Sequence, residues 1–156
     1  MCSAFYWPEI KTPRLALRSP RAEDAPRLAA IANDFDVARM TTSLPHPYSL
    51  ADAEFVLGLW AERDPSREAV FAIEEADEGL VGIIGLHPRQ SSVPSLEAPE
   101  IGYFVGRPYW RLGYATEAAR AVLDWSAEEW DVPVVTSGHF ADNPASGAVL
   151  CKAGFL

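Results

Sequence analysis

The stretch from Gly106 to Ala118, GRPYWRLGYATEA, decides how this chain is read. It follows Glu100 to Val105 (EIGYFV), whose alternation puts Ile101, Tyr103 and Val105 on one face of a strand. It leads into a helical pattern from Ala115 to Trp130, with Ala119, Val122, Leu123, Ser126 and Trp130 on one side. A strand, a glycine-containing turn and a helix start are the parts of an anion site. The first helical turn leaves N–H groups unpaired, and the helix dipole adds positive potential there. Gly113 permits close approach of the backbone or an unusual φ, and small Ala115 and Thr116 keep the helix mouth open. Arg107 and Arg111 add charge nearby. A pyrophosphate suits such a turn. A Walker loop would need Gly-Lys-Ser/Thr, and a dinucleotide fold three spaced glycines in its first βα unit; neither is present. The alternative is a plain strand-to-helix turn with a glycine at its corner.

Outward from that stretch, Arg14 to Arg18 (RLALR) alternates as a first strand, and Asp24 precedes a helix over about 24 to 33. Leu44-Pro45-His46-Pro47-Tyr48 is a loop, since each proline disfavours helix for the residue before it. Ser49 with Asp52 has the spacing of a capping box for a second helix carrying Phe55, Val56, Leu59 and Trp60. Ala69 to Ile73 and Leu80 to Leu86, separated by an acidic turn, read as a β-hairpin. Residues 88 to 99 are a longer loop. Pro133 ends the helix from Ala115, Val134 to His139 reads as another strand, and Asn143-Pro144 opens a last helix that Gly154 terminates. The order β-α-α-β-β-β-α-β-α is that of a mixed α/β layer fold.

At 156 residues the chain fits one domain with a real core. No run reaches the length of a membrane span, so no membrane role is expected. Twenty-two acidic against 13 basic residues, a formal net charge of −9, argue against nucleic acid, which calls for a basic stripe. The same balance mildly favours a basic acceptor. Cys2 and Cys151 form neither a ligand spacing nor a disulfide framework, which points to a reducing cytoplasm. His46, His87 and His139 are scattered, so no metal is expected.

Together the segments carry a resemblance. Glu100 to Val105 followed by Tyr109-Trp110-Arg111-Leu112-Gly113-Tyr114-Ala115-Thr116-Glu117-Ala118 resembles the central motif of the GNAT superfamily of acyl-CoA-dependent N-acyltransferases. Asn143-Pro144-Ala145-Ser146, with Val149 to Phe155, is similar to that superfamily's next motif. Thr12-Pro13-Arg14-Leu15-Ala16-Leu17-Arg18, Asp24-Ala25 and Leu44 to Tyr48 are similar to the branch that acetylates ribosomal protein N-termini. The family loop is usually Gln/Arg-x-x-Gly-x-Gly/Ala; Trp110 takes the first position here, while Gly113 and Ala115 match. Leu112 stands where many relatives are basic or polar, which shifts phosphate recruitment to backbone N–H groups and Arg111.

The resemblance implies an N-acetyltransferase that moves acetyl from acetyl-CoA directly to a primary amine, either a protein N-terminus or a small amine. An acyl-CoA-binding regulatory module without turnover is the alternative. Acetyl-CoA would lie where the strands at 100–105 and 134–139 splay apart. Phe104 and Val105 would meet its pantetheine arm, Arg111, Leu112, Gly113, Tyr114, Ala115 and Thr116 its pyrophosphate, and Asn143 the arm or the acetyl group. Glu100, read as partly buried at the start of its strand, is the first choice for the general base, with a solvated strand-start charge as the alternative. Ser146 would contact the sulfur or protonate the thiolate, or else cap its helix. His139 is a second base candidate, and His46 and Tyr48 lie in a loop like the relatives' substrate side. His87 reads as the end of a strand without chemistry. Glu117 reads as structural, complementing the helix dipole. A backbone N–H near Val105 or Gly106 would stabilise the oxyanion, and Tyr109 and Trp110 would be packing.

In the family, Gly154-Phe155 leads into further strands that finish the sheet and part of the acceptor pocket. The usual C-terminal strands are missing here, which would leave the strand at 134–139 as an exposed edge. A C-terminally incomplete chain is the favoured reading; a true truncation and an edge covered by a second copy in a homodimer are the others.

Overall fold

Ala69 to Ile73 is buried on both faces, and the rest of the molecule is arranged around it. The computed structural model describes residues 9–38, 44–63, 68–87 and 99–129. In chain order these form β1 (Ile10–Lys11), β2 (Leu15–Arg18), α1 (Ala25–Ala32), the single turn α2 (Phe35–Ala38) and α3 (Leu50–Ala61). Then come β3 (Ala69–Glu75), β4 (Gly79–His87), β5 (Glu100–Val105) and α4 (Tyr114–Glu129). The five strands make one antiparallel sheet in sequential order. The expected order of its first seven elements is present, with β1 and α2 added. Neither leaves a sign in the sequence, because two and four residues are too few to show a period. The expected strand at 134–139 and the last helix lie outside the described residues.

Alternation along the strands sorts the core into two layers. Leu15, Leu17, Ala69, Phe71, Ile73, Ile84, Leu86, Ile101 and Val105 face α4, where Ala118, Ala119 and Val122 are buried against them. Val70, Ala72, Leu80 and Ile83 face α1 and α3, meeting Leu28, Ile31, Ala53 and Leu57. Trp125 stands edge-on to Phe71 at 5.4 Å, a core ring as its helix position suggests.

Both long helices of the first half start where the sequence puts them. Ser49 and Asp52 form the expected reciprocal cap at α3, with Asp52 N–H donating to Ser49 Oγ at 3.1 Å and Ser49 N–H to Asp52 Oδ2 at 2.8 Å. Asp24 stands just before α1, as expected, but its carboxylate makes no bond to that helix. It accepts two bonds from the Arg18 guanidinium at 2.9 Å and one from Arg21 N–H at 2.8 Å. Arg18 also reaches Glu74 at 2.8 Å, so one half-buried cation ties β2 and β3 to the start of α1. Burial opposes the charge on Asp24, but the bonds from Arg18 and Arg21 outweigh it and hold the carboxyl below its ordinary range.

One irregularity sets the functional end of the sheet. Ile73 pairs with Gly82 and Glu74 with Leu80, so β4 carries Val81 as an extra residue. Val81 C=O accepts Gly106 N–H at 2.8 Å just past the end of β5. Beside it, a Cβ on Gly82 would collide with the Phe104 carbonyl oxygen, so β5 can approach only a glycine there. Gly82→Ala is therefore expected to destabilise the fold by about 1–3 kcal/mol. Gly58, mid-helix in α3 with open space around it, should instead gain about 0.5–1 kcal/mol as Ala. Paired urea titrations test this; equal effects of the two changes would show that the close strand approach is not needed.

Candidate functional site

Between β5 and α4 the chain makes a single 3₁₀ turn at Arg107–Tyr109 and then two left-handed residues, Arg111 at φ 66° and Gly113 at φ 81°. Gly113 occupies that region freely; Arg111 is held there at a cost of roughly 1–3 kcal/mol. The first intrahelical bond of α4 runs from Glu117 N–H to Gly113 C=O at 3.0 Å. The N–H groups before Glu117 have no carbonyl to reach within the helix. Arg111, Leu112 and Gly113 are exposed, and Tyr114, Ala115 and Thr116 half-buried, so these donors open to solvent at the positive end of a 16-residue helix.

A brace from the N-terminal strands fixes this mouth. Glu117, whose side chain is 17% exposed, accepts from the Thr12 hydroxyl, from Arg14 N–H at 3.0 Å and from Arg14 Nε at 2.7 Å. Arg14 Nη1 continues to Leu112 C=O at 2.6 Å, and its guanidinium lies 4.8 Å from the centre of the Tyr114 ring. Burial alone would raise the Glu117 carboxyl; the bonds from Thr12 and Arg14 outweigh it and hold it below the ordinary range. Glu117 is thus structural, as expected, but its partners lie 103 to 105 residues away and leave no local trace in the sequence.

Three further ties were not legible. Arg107, expected to charge the loop, is engaged by Asp34 at 2.9 Å and Asp36 at 2.8 Å beside α2. Tyr109, expected to be packing, accepts from Arg27 of α1 and donates to Glu78 Oε2 at 3.3 Å. Trp110 donates its indole N–H to Val105 C=O at 2.7 Å. Tyr109 packs against the core as expected and, like Trp110, also serves as a hydrogen-bonding strut.

The strand end is also defined. Gly106 N–H is committed to Val81, which removes it as an oxyanion donor. In an antiparallel ladder the residue beside such a bonded pair turns its own polar groups outward. Val105 N–H and C=O therefore face away from β4, and the carbonyl meets Trp110. Phe104, on the opposite face, packs against the α1–α3 layer.

Glu100, expected to be partly buried, is exposed at the start of β5, beside His87 of β4. His46 is exposed and edge-on to Phe35 at 5.6 Å. Tyr48 is 5% exposed, its N–H donates to Asn33 Oδ1 at 2.9 Å, and burial with nearby Asp52 pushes its phenol up to about 12. An acceptor reaching that loop would meet His46 rather than the Tyr48 ring. Asn143, Ser146 and His139 lie outside the described residues.

A groove of about 750 Å³ runs from Gly113 and Thr116 down α4 to Trp125, walled by β1 and the β1–β2 turn. Lys11, Arg14 and Arg120 on its walls are matched by Glu117, Asp124 and Glu128, so it carries no net attraction for anions. The helix mouth does. Among the described residues no group of histidine, cysteine or acidic side chains could hold a metal ion.

The model of the acetyltransferase (GNAT) domain matches residues 14–156. The chain belongs to the GNAT acetyltransferase family. A Bacillus subtilis protein described as an uncharacterized N-acetyltransferase, YoaA, is 28% identical over 151 residues, covering 96% of this chain and 83% of the relative. Among solved structures, a GNAT-family acetyltransferase from Bacillus anthracis superposes with a TM-score of 0.78 at 24% identity, over 94% of this chain and 82% of the other. Mycobacterium smegmatis RimJ in complex with CoA-disulfide gives 0.75 at 22% identity, over 96% and 74%. This GNAT acetyltransferase is an acetyl-CoA-dependent N-acetyltransferase by family, and the same findings give no support to a module without turnover.

Replacing Glu117 by Gln keeps an acceptor but removes the charge that three donors share, at a cost of about 1–3 kcal/mol at neutral pH. A carboxyl held low in the folded state stabilises above its ordinary value of about 4.3, and that stabilisation disappears as pH falls through the folded value. The gap in melting temperature between wild type and Glu117→Gln should be widest near neutrality and should shrink as pH falls below about 4.3. A gap independent of pH would show that the brace is not electrostatic.

Proposed function

We propose that residues 111–116 of this acetyltransferase hold the pyrophosphate of acetyl-CoA. The carrying observation is the open N-terminus of α4, with its unpaired N–H groups and two left-handed residues, on a chain of this family. Arg111 supplies charge at the rim, while Leu112, Gly113, Tyr114, Ala115 and Thr116 contribute backbone donors and space. Val105, whose polar groups face away from β4, and neighbouring Phe104 flank the pantetheine arm. The RimJ structure described with a bound CoA-disulfide supports a CoA-type ligand on this fold.

Acetyl moves in a ternary complex. A neutral amine attacks the thioester carbonyl, the oxyanion is met by an outward backbone N–H of β5, and the thiolate leaves. A thioester is already activated, so positioning supplies much of the rate. Glu100, exposed at the head of β5, draws the cationic acceptor, and Ser146 and Asn143 serve the sulfur and the arm. The acceptor is a protein N-terminus or a small amine that passes His46 and Tyr48. The site uses neither a metal nor a nucleic acid, and residues 1–156 act as one domain. We assign the protein to the cytoplasm on its two isolated cysteines; among the described residues no helix is long and apolar enough to cross a membrane.

Thr116→Asp separates binding from folding. A carboxylate in the first helical turn suits the dipole and should leave the melting temperature unchanged or raised. It also places a negative charge where the pyrophosphate sits, so CoA affinity measured by calorimetry should fall at least about tenfold, or 1.4 kcal/mol. Unchanged affinity would show that the phosphates bind elsewhere. Thiol release from acetyl-CoA with a panel of peptide N-termini, polyamines and aminoglycosides tests transfer itself, and no CoA binding by the wild type would sink the proposal.

A further inference from the structure

His87, read from sequence as the plain end of a strand, has a different setting in three dimensions. Ala69 pairs with Leu86 and His87 with Glu100, so Glu68, His87 and Glu100 form a row across three strand ends. Glu68 is 6% exposed; its Oε1 lies 2.7 Å from His87 Nδ1, and its Oε2 lies 3.2 Å from Arg63 Nη1. A carboxylate at Nδ1 draws the ring proton to that nitrogen and leaves Nε2 as an acceptor. The next row inward is Val70, Gly85 and Gly102, on the sheet face that packs α1 and α3. Gly85 and Gly102 have no side chains, and the imidazole lies over them. Its Nε2 is 2.9 Å from where a Cβ of Gly85 would be, and its Cδ2 is 4.0 Å from that of Gly102. The ring is still 42% exposed. The result is an oriented imidazole over a bare floor, with exposed Glu100 on its far side and the charges of Glu68 and Arg63 behind it.

We propose that His87 is the general base that deprotonates the acceptor amine, with Glu68 as its positioning residue and Glu100 drawing the ammonium in. This rests on the acetyl-transfer reading above. Gly102 lies three residues, about 10 Å, from Val105 along β5. A cofactor arm that leaves the α4 mouth and follows β5 from Val105 carries its thioester toward this floor. His87 Nε2 takes one proton from the ammonium, giving imidazolium and a neutral amine. The amine nitrogen then bonds to the thioester carbon. The tetrahedral adduct gives up a second proton as its C–S bond breaks, and that proton ends on the departing thiolate. Amide and free thiol result, and the imidazolium returns its proton to water.

The test compares wild type, His87→Gln, His87→Ala and Glu68→Gln on the best amine of the panel, with CoA affinity and melting temperature measured on each. For His87→Gln we expect kcat to fall about 100-fold or more, with CoA affinity and acetyl-CoA KM within about twofold of wild type. The decline of rate toward acid pH, which a base that must be unprotonated imposes, should vanish in His87→Gln. Glu68→Gln should lower kcat by a smaller factor at unchanged KM. If His87→Gln does not fold, Glu68→Gln and His87→Ala carry the same comparison. A folded His87 variant that keeps kcat within about threefold and keeps the wild-type pH profile overturns the assignment while leaving acetyl transfer standing. A wild type that binds no CoA, or binds it and transfers to no amine, overturns both.

Discussion

The hydrogen bonds that converge on Glu117 govern more of this molecule than any other contact. Three donors from the β1–β2 turn meet one carboxylate in the first turn of α4, and the same arginine reaches on to the Leu112 carbonyl. A helix packed by Ala118, Ala119 and Val122 alone could slide or rotate on an apolar sheet, because dispersion and hydrophobic burial are not directional. Directional bonds to a charged group remove that freedom. They set where the helix begins, and so where its unpaired N–H groups point. The proposed cofactor site is a by-product of this registration.

The second constraint is the close approach of β4 and β5. Val81 as an extra residue and Gly82 without a side chain bring the Phe104 backbone inward and dock Gly106 on Val81. That docking fixes the parity of the ladder, which turns the polar groups of Val105 away from β4. On the opposite face, the same alternation aligns Gly85 with Gly102 and His87 with Glu100. One register thus sets both the outward strand end near the loop and the imidazole row some four to five residues away.

Much of the fold was legible because its long elements advertise their period. The hairpin at 69–86, the strand at 100–105 and the helices near 25, 50 and 115 all lie within a residue or two of where alternation, capping and proline placed them. The two short elements, β1 and α2, were not, since neither spans a period. The turn at the head of α4 was legible through Gly113, but its supports were not. Arg14, Arg27, Asp34 and Asp36 are ordinary surface letters in sequence and acquire meaning only when the sheet brings them home. The neighbours of His87 were hidden for the same reason: a histidine at a strand end says nothing until Glu68 is seen beside it. Asp24 stands before its helix as expected, and only the folded sheet shows that its carboxylate is held by Arg18.

The ties at Arg107 and Tyr109 bear on what kind of unit the motif is. A peptide spanning 100–129 would keep the bond from Trp110 to Val105 and the local turns. It would lose Thr12 and Arg14 on one side, Arg27 and Glu78 on another, and Asp34 and Asp36 on a third. The most recognisable run of letters in this chain is therefore not a portable cassette. Grafted onto another strand and helix it would carry its spelling without its shape, and the geometry of the helix mouth belongs to the scaffold as a whole.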